Sequence, residues 1–450
     1  MVELRPVKHP LVQSFVRDNK RLLDEMLGGY SSPLHIIFPQ VFAENVNRFR
    51  SVLSRHRLED NIFFACKANK SDAFIETACY MGIGVEVSSY YELQNSLGRG
   101  IQGAKMIASG PGKTLKYLLL AMRCGATISI DSEMELANVI RLSKKSSMKP
   151  RIFLRIGNVV HKSRFGIDTP ISNEIIRMLA SSQNAVEIVG FAGHLSSYNL
   201  EERPKLIKKF MRLCEKFRRL GYLNCNTIDI GGGFPISYTT GEAWKNFDAR
   251  KEEFWNNRAF RHFYPCYSEF SGSDGLKHIL DHMEGGKRLS ELLKEGGHKL
   301  VIEPGQGLLD QAGITVMRIT DVKEREQGQL VVVDGNNDHL SERLFDTDFL
   351  VSPELLSFGR RGMPFDGYVA GNTCMREDML LWHKTKFDTA PVTGDMLVFY
   401  NTAAYYMDSN ESDFSRMPIP AKICAIMKHG GWKTYDDESF NQVEFLDRSV

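Results

Sequence analysis

NIFFACKANKSDAFIETACYMGIGVEVSS, residues 61–89, sets two short apolar runs on either side of an amphipathic one. NIFFAC (61–66) and GVEV (84–87) are rich in Val, Ile and Phe, as strands buried on both faces should be. Between them SDAFIETACYMG (71–82) opens on a Ser-Asp pair suited to cap a helix and closes on Gly82. The stretch predicts strand, helix, strand, with the two strands parallel.

The same alternation continues outward. KMIA (105–108), TISI (127–130), RIFLRI (151–156), VEIVGFAG (186–193), NTIDI (226–230) and KLVIE (299–303) are further strand-like runs. Helical patterns such as GKTLKYLLLAMRCG (112–125) and ERPKLIKKFMRLCEKFRRLG (202–221) separate them, with basic residues late and a terminal Gly. Eight strands alternating with helices predict a (β/α)8 TIM barrel over 43–303. A doubly wound open sheet is the alternative, because periodicity does not show closure. The stretch 236–285, aromatic and charged with little periodicity, reads as an insertion between the last two barrel strands. From about 304 the pattern changes to successive strands, GITVMRIT, QLVVVD, GYVAG and GDMLVFY. A second, mostly antiparallel β domain is expected from 304–450 together with 1–42, where HIIF (35–38) supplies a strand.

Composition excludes several classes. A net charge of +2 over 450 residues implies no nucleic-acid partner. No apolar run reaches membrane-spanning length, and the opening residues lack a basic-then-apolar export pattern. The eight cysteines form no CxxC pair, so no metal site is expected and a reducing cytoplasmic location is.

Polar residues collect at the strand ends, where barrel sites are built. Lys67 follows the first strand, Glu86 closes the second, Arg155 lies in the fifth, His194 follows the sixth, and Glu303 ends the eighth. Alone, a lysine there reads first as a snorkelling surface residue, and only second as a desolvated amine able to form a Schiff base. His194 alone reads more readily as a satisfied core histidine. Three consecutive glycines, Gly231, Gly232 and Gly233, are more specific, since they let backbone N–H groups approach an anion. Cys374 alone would be another buried thiol.

In this order the segments resemble the fold-type III pyridoxal-phosphate (PLP) decarboxylases, the diaminopimelate, ornithine and arginine decarboxylase group, from about residue 35 to about 410. SPLHIIFPQVFAENV and FFACKANKSDA look most similar to uncharacterised bacterial diaminopimelate-decarboxylase-like proteins. The resemblance implies an alanine-racemase-like barrel and PLP as cofactor. ACKAN implies that Lys67 carries PLP through a Schiff base. GVEVSSYYEL implies a cofactor role for Glu86, where the family usually has Asp. GHLSS implies His194 against the ring and Ser197 at the phosphate, and IDIGGGFP implies a phosphate loop at Gly231–Gly233. EPGQ implies Glu303 at the pyridine nitrogen, with Gly305 and Gln306 beside it; Arg155 joins the cofactor set. GNTCMRED implies that Cys374 returns a proton to the α-carbon across a homodimer interface, and GDMLVFYNTAAY that Tyr405 contacts phosphate.

The departures concern the substrate. Gln306 stands where the family usually has Arg. Met375 stands where an acid usually reads the distal ammonium, and a thioether cannot pair with one. DGNNDHLSERLF (334–345) ends in Phe345 where relatives often have Tyr. The expected activity is therefore α-decarboxylation of a small-molecule amino acid with a non-standard distal group, read by Arg343, Met375, Arg376 and Asp378. Solvated surface arginine is an equal reading for Arg343 and Arg376. A PLP racemase and a non-catalytic binding or regulatory relative are the alternatives; retained Lys67 and Cys374 favour decarboxylation.

Overall fold

A computed structural model describes residues 3–157, 163–195, 198–247, 251–260, 263–340, 349–359 and 362–441. The chain forms two compact units. One holds the residues up to Phe42, Ile236–Ser271 and Leu309–Phe440; the other holds Ala43–Pro235 and Gly272–Leu308.

The strands in chain order are β1 (Leu34–Ile37), β2 (Phe63–Ala65), β3 (Gly84–Val87), β4 (Met106–Ala108), β5 (Thr127–Ile130), β6 (Arg151–Arg155), β7 (Glu187–Ala192) and β8 (Thr227–Asp229). A small hairpin, β9 (Met283–Glu284) and β10 (Lys287–Arg288), precedes β11 (Lys299–Val301). Strands β2 to β8 and β11 pair in parallel, each with its neighbour. An isolated parallel bridge between Ile62 and Ile302 joins the first to the last. Phe63 N donates to Ile302 O at 2.9 Å and Ile302 N to Asn61 O at 3.1 Å. The ring is a (β/α)8 barrel, and the open-sheet alternative is set aside. Ile107, Phe153, Ala192 and Val301 cluster in its core with Phe63 and Val189. These residues lie on five different strands, which is why each strand is short and apolar.

Helices cover the strands, and their starts are locally encoded. Ser89 accepts from Glu92 N, Ser132 from Glu135 N and Ser172 from Ile175 N, satisfying one orphan donor each. Helix Asp72–Tyr80 matches the opening stretch, but the Ser71 side chain makes no capping bond there. Asp72 instead places a carboxylate in the first turn, where the helix dipole favours it.

The other unit is built on nine strands, with β12 (Gly313–Arg325), β13 (Gly328–Val333), β14 (Glu354–Leu356), β15 (Phe365–Ala370), β16 (Met379–Phe387), β17 (Met396–Tyr400), β18 (Ala421–Lys428) and β19 (Gly431–Asp436) joining β1. The order is β16-β15-β13-β12-β1-β18-β19, and β17 pairs with β12 and β14. Pairing is antiparallel except at β1–β18 and β13–β15. HIIF thus pairs into this sheet, with Leu34–Ile37 against Gly313–Val316 on one side.

The stretch expected as one barrel insertion, 236–285, divides. Ile236–Ser271 belongs to the sheet unit, and the remainder supplies helix Ser273–Asp281 to the barrel unit. The reason is aromatic. Trp255 meets Tyr368 edge-on at 5.0 Å, Phe260 meets Trp382 at 6.4 Å, and Phe254 bridges to His383. Burying these rings favours packing on β15 and β16 over a free loop. Among the described residues, no helix is long and apolar enough to cross a membrane, and no group of three or more His, Cys, Asp or Glu is placed to hold a metal ion.

Candidate active site

On the barrel unit, the C-terminal strand ends bring an amine and three carboxylates together. β2 runs into a single 3-10 turn, Cys66–Ala68, which lifts Lys67 out of the strand. Its side chain is 38 % exposed, and Nζ lies 3.4 Å from Glu86 Oε2. Glu86 closes β3 and is buried. Its other oxygen accepts from Ser88 Oγ at 3.1 Å and from Ser109 Oγ. Burial pushes the Glu86 pKa up, but the Lys67 charge and the two hydroxyls outweigh it, so the pKa lies below the ordinary value. Glu86 is an ionised partner for the lysine.

Glu303 follows β11 and is also buried. Burial first, then the charges of Asp229 and Glu86, raise its pKa well above the usual carboxylate range, against the pull of Lys67. Asp229 ends β8 and is raised to about 7, chiefly by burial. Its Oδ1 accepts from Gly231 N at 2.8 Å, and its carboxyl lies beside that of Glu303. Two neighbouring buried acids, both with raised pKa values, suit a cationic or N–H-bearing ring brought against them.

The glycine turn follows β8 directly. Gly231 and Gly233 have φ +66° and +76°, a left-handed region that a side chain would strain. A Cβ at Gly231 would come within 2.7 Å of His194 Nδ1, and one at Gly232 within 2.5 Å of Glu303 O. The turn is therefore a bare backbone ledge between His194 and Glu303. Glu303 N donates to Gly231 O at 3.0 Å, tying the two segments. His194 Nδ1 accepts from Gly232 N at 3.4 Å, which leaves Nε2 to carry the proton. The ring presents exposed surface at the barrel mouth, yet dense surrounding protein and the cations Lys67, Arg203 and Arg155 press its pKa well below the ordinary value. The three charges act whether or not water reaches the ring, so His194 is neutral.

Arg155 is committed to Asp131 Oδ1 at 3.0 Å and stacks over Phe165 at 4.6 Å, so it meets this cluster as a charge. Gly305 packs close to Ala68, whose Cβ a side chain there would meet at 2.8 Å, and Gln306 is buried at the start of helix Gln306–Leu309. Lys67, Glu86, His194, Gly231–Gly233, Glu303, Gly305 and Gln306 thus belong to one unit, as does Arg155. Ser197 and Arg343, with Phe345, lie outside the described residues.

Two residues of this cluster escaped the sequence reading. Asp229 is one; its signal was an acid inside the buried run NTIDI. Arg203 is the other, buried beside the glycine turn, and nothing in the basic run ERPKLIKKF set it apart.

The sheet unit carries the remaining expected residues. Cys374 is exposed on the turn between β15 and β16. Asp378 builds that turn: Oδ1 accepts from Asn337 N at 2.8 Å, and Oδ2 accepts from Thr373 N at 3.0 Å and Thr373 Oγ1 at 2.6 Å. Asp378 was expected to read substrate; it is buried, and its oxygens accept from Asn337 on a separate segment and from Thr373 on its own turn. Met375 is 52 % exposed and Arg376 is exposed beside it. Tyr405 has φ +67°, a strained value for a non-glycine residue, and its carbonyl accepts from Ser409 N at 2.8 Å.

Comparison with known proteins identifies the family. Residues 40–264 match the family model described as pyridoxal-dependent decarboxylase, pyridoxal binding domain. An uncharacterised protein, y4yA, of Sinorhizobium fredii is 34% identical over 413 residues, covering 90% of each chain. The diaminopimelate decarboxylase of Bacillus subtilis is 24% identical over 424 residues, covering 88% of this chain and 86% of that one. The crystal structure of diaminopimelate decarboxylase from M. jannaschii with L-lysine superposes with a TM-score of 0.74 at 17% identity, over 95% of this chain and 94% of that one. The lysine/ornithine decarboxylase of Vibrio vulnificus with putrescine gives a TM-score of 0.68 at 16% identity, over 93% and 99%. The chain belongs to the pyridoxal-dependent decarboxylase family, and its cofactor is pyridoxal phosphate.

Proposed function

We propose that this chain removes the α-carboxyl group of an amino acid whose distal end carries no ammonium. The observation that carries the first half is the cluster at the barrel rim: one amine 3.4 Å from an ionised acid, two buried acids with raised pKa values, and a bare glycine turn. Pyridoxal phosphate supplies an electron sink for the pair left when the carboxylate departs as carbon dioxide. Lys67 carries the cofactor covalently through Nζ. Glu303, backed by Asp229, would face the pyridine nitrogen and stabilise a proton there. The backbone of Gly231–Gly233 would take the phosphate, with Ser197 and Tyr405 assigned to it. His194 would lie against the ring and, being neutral, shield it without adding charge. Cys374 gives the proton that the α-carbon needs in place of the lost carboxylate, and regains one from solvent.

The second half rests on the cysteine loop. Diaminopimelate, lysine and ornithine, named in the relatives, carry a distal ammonium. Met375 and Arg376 are exposed beside Cys374, and neither can pair with an ammonium. Arg376, with Arg343, suits an acidic or conjugated distal end. Reaching a second subunit's lysine, Cys374 would make the working form a homodimer with shared sites. Borohydride reduction of the PLP-loaded chain, followed by peptide mapping, tests the cofactor assignment. The label is expected on Lys67; a label on Lys70 or Lys113 would overturn it.

A further inference from the structure

The bulkiest fully buried side chain in the described residues belongs to an arginine, Arg203, at 1 % exposure. It is the first residue of helix Arg203–Arg219 and points at the glycine turn. Nη1 donates to Ile230 O at 2.7 Å, and Nη2 lies 3.5 Å from Gly233 O. These two carbonyls bracket Gly231 and Gly232. A Cβ at Gly233 would run into Nη2, so the absence of a side chain there makes room for the guanidinium. Burying a guanidinium is costly, and burial lowers its pKa only to about 10, so it remains charged at neutral pH.

We propose that Arg203 is the positioning residue of the phosphate-binding turn: its guanidinium clamps the carbonyls on both sides of the glycines from behind and keeps a fixed positive charge under the anion that the turn receives. Pulling both carbonyls inward keeps their negative ends away from the anion. The fixed charge acts through low-dielectric protein, where it is screened less than a surface lysine would be. Gln306, buried nearby in sequence to the Glu303 segment, is neutral and supplies no such charge.

The proposal rests on the phosphate being received at Gly231–Gly233. The test compares two ligands of the full-length apoprotein, PLP and pyridoxal, which share the aldehyde and ring but differ in the phosphate. Wild type is expected to hold PLP much more tightly. Arg203→Met keeps the apolar stem and removes the charge. It is expected to weaken PLP binding by about 10- to 100-fold, the range of a lost charge-assisted hydrogen bond, with pyridoxal binding changed by less than about twofold. Arg203→Lys keeps the charge but not the fork, and should fall between the two. If Arg203→Met does not fold, Arg203→Lys decides: a reduced preference for PLP at unchanged pyridoxal affinity supports the clamp, and an unchanged preference overturns it. Equal weakening of both ligands would show a merely structural role and overturn it as well. A wild type that holds the two ligands alike would overturn the placement of the phosphate itself, whereas a discriminating wild type with an equally discriminating Arg203→Met overturns only the role of Arg203.

Discussion

Replacing Lys67 by alanine is expected to cost on the order of 10^4-fold or more in decarboxylation rate and to abolish the visible absorbance of the lysine-bound cofactor. Two functions leave with the side chain. One is the covalent hold on the cofactor that is proposed for its Nζ. The other is the cation opposite Glu86 and Glu303. Lys67→Arg separates them, since it restores the charge without a nucleophilic amine. It should keep the fold and remain inactive, with no cofactor absorbance. Recovery of activity in Lys67→Arg would mean that charge alone was needed.

Replacing Cys374 by alanine is expected to slow carbon dioxide release by about 10^2- to 10^4-fold, the range for loss of a positioned proton donor. Cofactor absorbance should be retained, because Cys374 sits in the sheet unit on the Asp378 turn and not among the barrel-rim residues. A product protonated from solvent instead of the thiol would lose its stereochemistry, which chirality analysis in deuterated water reads directly. Mixing equal amounts of Lys67→Ala and Cys374→Ala chains should restore about a quarter of wild-type activity, because half of randomly paired dimers then hold one intact composite site of two. No recovery would mean that each chain builds its own site.

The features that could be read in the sequence were the local ones. Lys67, Glu86 and Glu303 stood at the ends of short apolar runs, and three glycines in succession after NTIDI marked a backbone ledge. Closure of the barrel was not legible, because the Ile62–Ile302 bridge joins residues at opposite ends of the unit. The aromatic stretch after Pro235 looked unpatterned because its partners, Tyr368, Trp382 and His383, lie more than a hundred residues away. Arg203 was hidden by its company: at the head of a basic helix, one buried arginine looks like its solvated neighbours. Asp378 misled for the opposite reason. An acid four residues after the cysteine looks available to substrate until the turn shows its oxygens already taken.

This chain is proposed to decarboxylate an amino acid other than the diamino acids its relatives are named for. The direct measurement is carbon dioxide release by the PLP-loaded enzyme over a panel containing diaminopimelate, lysine, ornithine and amino acids whose acidic or conjugated distal ends carry no ammonium. Turnover of at least one acidic or conjugated substrate, with none of the three distal amines turned over appreciably, is the predicted result. Robust release from diaminopimelate, lysine or ornithine would contradict it.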